Sequence, residues 1–159
     1  ELLVEFGVTG LSEEVKAEWN RVWRRLDPWP DSVSGLRRLK RKFTIAPLSN
    51  GNVSLLTNMA KHAGLPWDLI LSAELARHYK PDREVYLRAV ELLDLAPGEV
   101  MMVAAHRSDL DASARCGLQT AFVHRAGEFG PARVADAASP GDYDVVAGDI
   151  LDLAGRLMA

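Results

Sequence analysis

The chain has 159 residues, 48% of them hydrophobic and 26% charged, with 19 Lys and Arg against 22 Asp and Glu. That length suits one domain with a real core, and the composition excludes a disordered or collagen-like chain. A net charge of −3 without a strongly basic block argues against nucleic acid, no apolar run approaches a membrane span, and the single Cys116 excludes an internal disulfide framework and suits a reducing cytoplasm.

In chain order, Ser12 can cap a helix whose first turn holds Glu13 and Glu14, and Val15, Trp19, Val22, Trp23 and Leu26 recur on one face. Two prolines in Asp27-Pro28-Trp29-Pro30-Asp31 break it. A second helix is predicted over 31–42, its tail dense in Lys and Arg on a solvated face. From residue 43 strands and helices alternate. The apolar run 43–49 ends in the turn Ser49-Asn50-Gly51-Asn52, and a helix follows to His62, stopped by Gly64. Residues 67–72 read as a strand, and 82–93 as an amphipathic helix with Pro81 fixing φ at its start. Residues 100–105 form a strongly apolar strand followed by a helix that Gly117 closes. Residues 119–124 and 144–147 are further strands, 148–157 a last helix, and the Gly/Pro/Ala-rich stretch 125–143 a surface loop. Pro47 cannot donate a ladder hydrogen bond, so a bulge or a missing pairing is expected there. The alternation predicts an α/β fold, a doubly wound parallel sheet covered by helices.

In open α/β sheets ligands bind at the carboxyl ends of the strands. That rule selects Ser49 and Asn50 after one strand and His106, Arg107, Ser108 and Asp109 after another, with Lys80 before Pro81 between them in sequence. Each has an ordinary structural role to weigh against a chemical one: a turn for Ser49-Asn50-Gly51, an exposed lysine for Lys80, a helix cap for Asp109, a hydrogen-bonded rim residue for His106. Their order along the chain is what points to chemistry.

The strings Leu48-Ser49-Asn50-Gly51-Asn52, Tyr79-Lys80-Pro81-Asp82 and Val103-Ala104-Ala105-His106-Arg107-Ser108-Asp109 together resemble the haloacid dehalogenase superfamily, and within it the type II (S)-2-haloacid dehalogenases. The resemblance runs from the Pro/Trp hinge to Glu128-Phe129-Gly130-Pro131. It implies a Rossmann-like parallel sheet flanked by helices, with a helical cap inserted after the first strand. Residues 1–30 are then the C-terminal part of that cap and its hinge, and 31–159 a core lacking its first strand. The implied reaction is hydrolysis of short 2-haloalkanoic acids to 2-hydroxy acids: an Asp on the first strand displaces halide, and water cleaves the resulting ester. The resemblance gives Ser49 the substrate carboxylate or the nucleophile to hold, and places Asn50 near the departing halide. It gives Lys80 the nucleophile's charge to balance, and Asp109 the hydrolytic water to position or activate. His106 joins Ser49 and Asn50 at the substrate, standing where many members carry Asn, as Ala104 stands where many carry Ser. No cofactor and no metal are implied, the expected partner is the small 2-halo acid, and a homodimer is compatible.

The nucleophile string is not found: Glu5-Phe6-Gly7-Val8-Thr9-Gly10 has the Gly and the Thr but no Asp, and lies on the cap side of the hinge. The first strand and its Asp are therefore expected upstream of Glu1. Two other readings remain open: a Mg²⁺-dependent phosphatase on the same scaffold, and a non-catalytic binding protein. Against the phosphatase, Ala104-Ala105 occupies the place where such enzymes carry Gly-Asp, leaving Asp109 as the fourth motif's one carboxylate.

Overall fold

A computed structural model of the protein describes residues 2–159. It begins with a four-residue helix α1 (Leu2–Glu5), so the Glu5–Gly10 look-alike follows a helix rather than ending a strand. α2 (Glu13–Arg21) starts where its cap predicts, the Ser12 hydroxyl accepting from the Val15 N–H. It tightens into a 3-10 turn over Val22–Arg25 instead of running on to Leu26. That turn packs against α4 (Val53–Ala63), yet Val15, Trp19, Val22, Trp23 and Leu26 stay 39–59% exposed, so the described residues leave the apolar stripe largely uncovered.

The hinge is bolted to the core. Asp31, 9% exposed, accepts from Arg125 Nη2 and from the Ile150 N–H, both at 2.8 Å, and the same guanidinium lies 5.2 Å from the centre of the Trp29 ring. Helix α3 (Ser32–Leu39) is shorter than the predicted 31–42, with Lys40 to Lys42 in turns. It crosses α8 (Ile150–Leu157) at Gly35, where a Cβ would stand 2.8 Å from the Ile150 carbonyl carbon, so a bare backbone is required for this approach.

The strands are parallel, as predicted, but fall into two sets. β1 (Leu48–Ser49) pairs with β2 (Leu71–Ser72), and β3 (Met101–Ala104), β4 (Gln119–Val123) and β5 (Val145–Ala147) pair in that order. The predicted strands 43–49 and 67–72 each shrink to two residues, and Pro47 supplies part of the reason. Its carbonyl accepts from the Leu71 N–H and the Ile45 carbonyl from the Asp68 N–H, but Pro47 has no N–H of its own, and the Ile45 N–H goes to the Asp68 carboxylate.

Both faces of the second set are covered, as parallel strands require. On one side Leu36, Leu39, Leu153 and Ala154 of α3 and α8 meet Ala121 and Val123, with Ile45 in the same cluster. On the other, Tyr86 and Val90 of α6 (Arg83–Leu92) and Leu110 and Ala112 of α7 (Arg107–Arg115) meet Met102 and Phe122, with Leu48 of β1 packed against them. The two strand sets thus share one core.

The helix caps follow the sequence closely. Asn52 caps α4 and Gly64 ends it at φ +66°. Gly117, at φ +87°, ends α7 with two back-bonds, Gly117 N–H to Ala114 and Leu118 N–H to Ser113. α6 departs slightly: Asp82 is its cap, so Pro81 lies before the cap rather than in the first turn, and the Lys80–Pro81 peptide is cis. A short helix α5 (Ala73–Ala76) follows β2, and the 125–143 loop holds a single 3-10 turn, Gly130–Ala132.

Candidate active site

The polar groups of the site come from three segments: the turn after β1, the loop before α6, and the first turn of α7. Lys80 Nζ donates to Asp109 Oδ2 at 2.5 Å, with the side chains only 17% and 14% exposed. The other oxygen, Oδ1, accepts from the hydroxyl of the fully buried Tyr86 at 2.6 Å. Burial above all, and then the Asp109 carboxylate, hold the Tyr86 phenol well above its ordinary pKa, so it remains a hydrogen-bond donor at any working pH.

Asn50 fixes where Lys80 stands. Its Oδ1 accepts from the Lys80 N–H at 2.7 Å and its Nδ2 donates to the Lys80 carbonyl at 3.2 Å, a two-bond clasp from the end of β1. One amide hydrogen remains for another acceptor. Ser49 Oγ accepts from the Gly51 N–H at 3.1 Å, which leaves its hydroxyl hydrogen to donate elsewhere. Behind it the buried Ser72 hydroxyl donates to the Gly51 carbonyl at 2.6 Å and holds the turn to β2.

His106 is the N-cap residue of α7 but makes no cap bond with its side chain. Its Nε2 lies 2.9 and 3.1 Å from the two oxygens of Glu128, and its ring stacks on Phe129 at 6.3 Å between centroids. Arg107 is turned away from the site: its N–H goes to Asp136 and its guanidinium to Asp142 and the Ala137 carbonyl. Ser108 is exposed.

Asn50, Lys80 and Asp109 are therefore joined by direct bonds, Ser49 adjoins them as the chain neighbour of Asn50, and His106 shares a helical turn with Asp109 while bonding to Glu128. Tyr86 and Glu128 are the site residues that sequence reasoning missed. Tyr86 falls inside the predicted amphipathic helix 82–93, and Glu128 inside the predicted surface loop 125–143. As a cation site Asp109 is poorly suited, since both its oxygens already carry protein donors and one of these is an ammonium. Among the described residues, one group has metal-ligand atoms within 4.8 Å of one another: His78, Asp82 and Glu84, all exposed. No helix there is long and apolar enough to cross a membrane.

Comparison with known proteins identifies the family. The family model for haloacid dehalogenase-like hydrolases matches residues 6–117. An (S)-2-haloacid dehalogenase of Xanthobacter autotrophicus is 31% identical over 136 residues, 83% of this chain and 53% of that protein. A second, (S)-2-haloacid dehalogenase 4A of Burkholderia cepacia, is 33% identical over 117 residues, 69% of this chain and 51% of its own length. The chain spans about half the length of these curated relatives. A crystal structure of an L-2-haloacid dehalogenase superposes with a TM-score of 0.93 at 49% identity, covering 98% of this chain and 68% of its own. That of a defluorinating L-2-haloacid dehalogenase gives 0.94 at 49% identity, covering 99% and 65%.

Proposed function

This chain belongs to the haloacid dehalogenase-like hydrolases, and we propose that it serves in the hydrolytic dehalogenation of short 2-haloalkanoic acids to 2-hydroxy acids in the cytoplasm. The observation that carries the reading is the chain of bonds Asn50–Lys80–Asp109, which fixes a half-buried ammonium at the carboxyl ends of the strands. A carboxylate attacking the 2-carbon must stay ionised, and a fixed ammonium beside it favours that form. The displacement makes one C–O bond as the C–halogen bond breaks, and water then cleaves the ester. In this scheme the Ser49 hydroxyl binds the substrate carboxylate, and the spare Asn50 amide hydrogen faces the departing halide. Lys80 balances the charge of the nucleophile, Asp109 holds Lys80 and borders the hydrolytic water, and His106 lines the substrate side.

On the same reading residues 1–30 are the returning end of a helical cap with its hinge, 31–159 are the core without its first strand, and the attacking Asp belongs to that strand. Two features support this: β1 and β3 each keep an edge without a ladder partner among the described residues, and the site draws on both strand sets. The reaction calls on no cofactor.

The test is product analysis of the complete enzyme. Purified protein given 2-chloropropionate should release chloride and 2-hydroxypropionate, unchanged by EDTA, with no phosphate from p-nitrophenyl phosphate. Phosphate release that EDTA abolishes and Mg²⁺ restores would instead establish the phosphatase. Binding of the acid without any turnover would mark a non-catalytic protein.

A further inference from the structure

Asp109 is badly placed to take a proton from water. One oxygen accepts from the Lys80 ammonium at 2.5 Å and the other from the Tyr86 phenol at 2.6 Å, so neither is free of a protein donor. Three residues earlier stands a group with the opposite character. His106 and Asp109 are the cap and third residues of one helical turn, so they share a face of α7 at the carboxyl end of β3. The His106 ring is held from two sides. Glu128, whose side chain is 27% exposed, spans Nε2 with both its oxygens, and Phe129 stacks on the ring with Arg133 over Phe129 at 4.3 Å. An ionised carboxylate only accepts, so Nε2 is the donor, and the neutral ring then carries its lone pair on Nδ1. Among the described residues Nδ1 makes no hydrogen bond.

We propose that His106, oriented by Glu128, is the general base of the ester-hydrolysis step. The inference rests on the dehalogenase reading above. Water attacks the ester carbonyl carbon as one of its protons passes to His106 Nδ1, and the bond from that carbon to the substrate oxygen breaks. The leaving alkoxide takes the proton back from the imidazolium to become the 2-hydroxy acid, and the regenerated carboxylic acid ionises to solvent. His106 is catalytic in this scheme, and Glu128 is a positioning residue that acts through it. The charged groups bearing on the ring's titration are Glu128, Asp109 one turn on, and Arg133 behind Phe129. The neighbouring Arg107 guanidinium is occupied by Asp142.

The experiment is rapid-mixing kinetics of the complete enzyme with 2-chloropropionate, comparing wild type, His106→Asn, His106→Ala and Glu128→Gln. The expected result for both His106 variants is a full burst of one chloride per site, followed by turnover slowed about 10²–10⁴-fold, as loss of a general base gives. The ester should accumulate, visible as added mass on the intact protein. Glu128→Gln should keep the burst, slow turnover less, and shift the acidic limb of the rate–pH profile. A wild-type turnover rate in either His106 variant overturns the proposal, and so does loss of the burst in folded His106→Asn. If wild type itself releases no chloride, the dehalogenase reading fails, and the fault is not specific to His106.

Discussion

Lys80→Met tests the centre of the site, because it keeps most of the apolar stem while deleting the ammonium. Asp109 would then keep a carboxylate only 14% exposed, with the Tyr86 hydroxyl as its one remaining donor from the present set. Removing one partner of a buried ion pair costs about 3–5 kcal/mol, because the other charge is left uncompensated. Both groups here retain some contact with water and Tyr86 remains, so we expect less than that, about 2–3 kcal/mol. For a protein of this size that lowers Tm by roughly 4–12 °C. The cause can be checked with Asp109→Asn in the same background. If the penalty is the orphaned charge, the double variant should regain at least about 1 kcal/mol over the sum of the single changes. Chloride release from 2-chloropropionate should fall below a tenth of the wild-type rate, a barrier increase of more than about 1.4 kcal/mol. A Lys80→Met protein that melts within a degree of wild type and keeps more than a tenth of its rate would refute the reasoning about both stability and catalysis.

Asn50→Ala should slow carbon–halogen cleavage by the equivalent of about 2–4 kcal/mol, by analogy with other donors to developing anions, and slow ester hydrolysis less; single-turnover kinetics separate the steps, and equal slowing would make Asn50 purely a clasp for Lys80. Gly35→Ala should cost about 1–3 kcal/mol in urea unfolding, because the new methyl meets not only Ile150 Cγ2 at 2.5 Å but also the Ile150 backbone at 2.8–2.9 Å, which cannot swing aside. Asp31 has its pKa lowered: burial pushes it up, but the Arg125 guanidinium and the Ile150 N–H together outweigh that. Its contribution is therefore complete above the ordinary carboxylate value near 4 and lost as pH falls through the lowered folded value. Asp31→Asn should cost about 2–3 kcal/mol at pH 7 and progressively less in acid, and a pH-independent difference would contradict this. On the proposed mechanism Ser49, Asn50, Lys80 and Asp109 orient and polarise but none attacks carbon, so the 159-residue chain alone should release no halide; chloride from that chain would show a nucleophile within it.

Strand direction, the order of elements and the caps at Ser12, Gly64 and Gly117 were legible because each has a local cause. Ser12, Gly64 and Gly117 act on backbone groups within a few residues of themselves. Strand length was not legible, because pairing depends on a partner's donors as well as a segment's own pattern. The run 43–49 is apolar enough for a full strand, yet Pro47 and the Asp68 carboxylate divert its ladder bonds. The site divides in the same way. Ser49, Asn50, Lys80 and Asp109 follow or precede regular elements at an edge where chemistry is expected. Tyr86 and Glu128 reach the site over 23 and 22 residues from Asp109 and His106, by hydrogen bonds that no local pattern encodes.

Side-chain bonds also span the two strand sets at the site. Ser49 and Asn50 hang from β1, while His106 and Asp109 hang from β3, and no ladder hydrogen bond joins those strands. Shared packing, such as Leu48 against the Tyr86–Phe122 cluster, brings the sets together without fixing their separation, because apolar contact is non-directional. Two directional bonds add to that packing at the site. Asn50 grips the Lys80 backbone from the β1 side, and the Lys80 ammonium grips Asp109 on the β3 side. The same bonds that would arrange the charges for the proposed displacement thus also tie the two strand sets at this edge. A substitution that loosens Lys80 therefore moves both walls of the site, and its kinetic effect should exceed the value of the single charge removed.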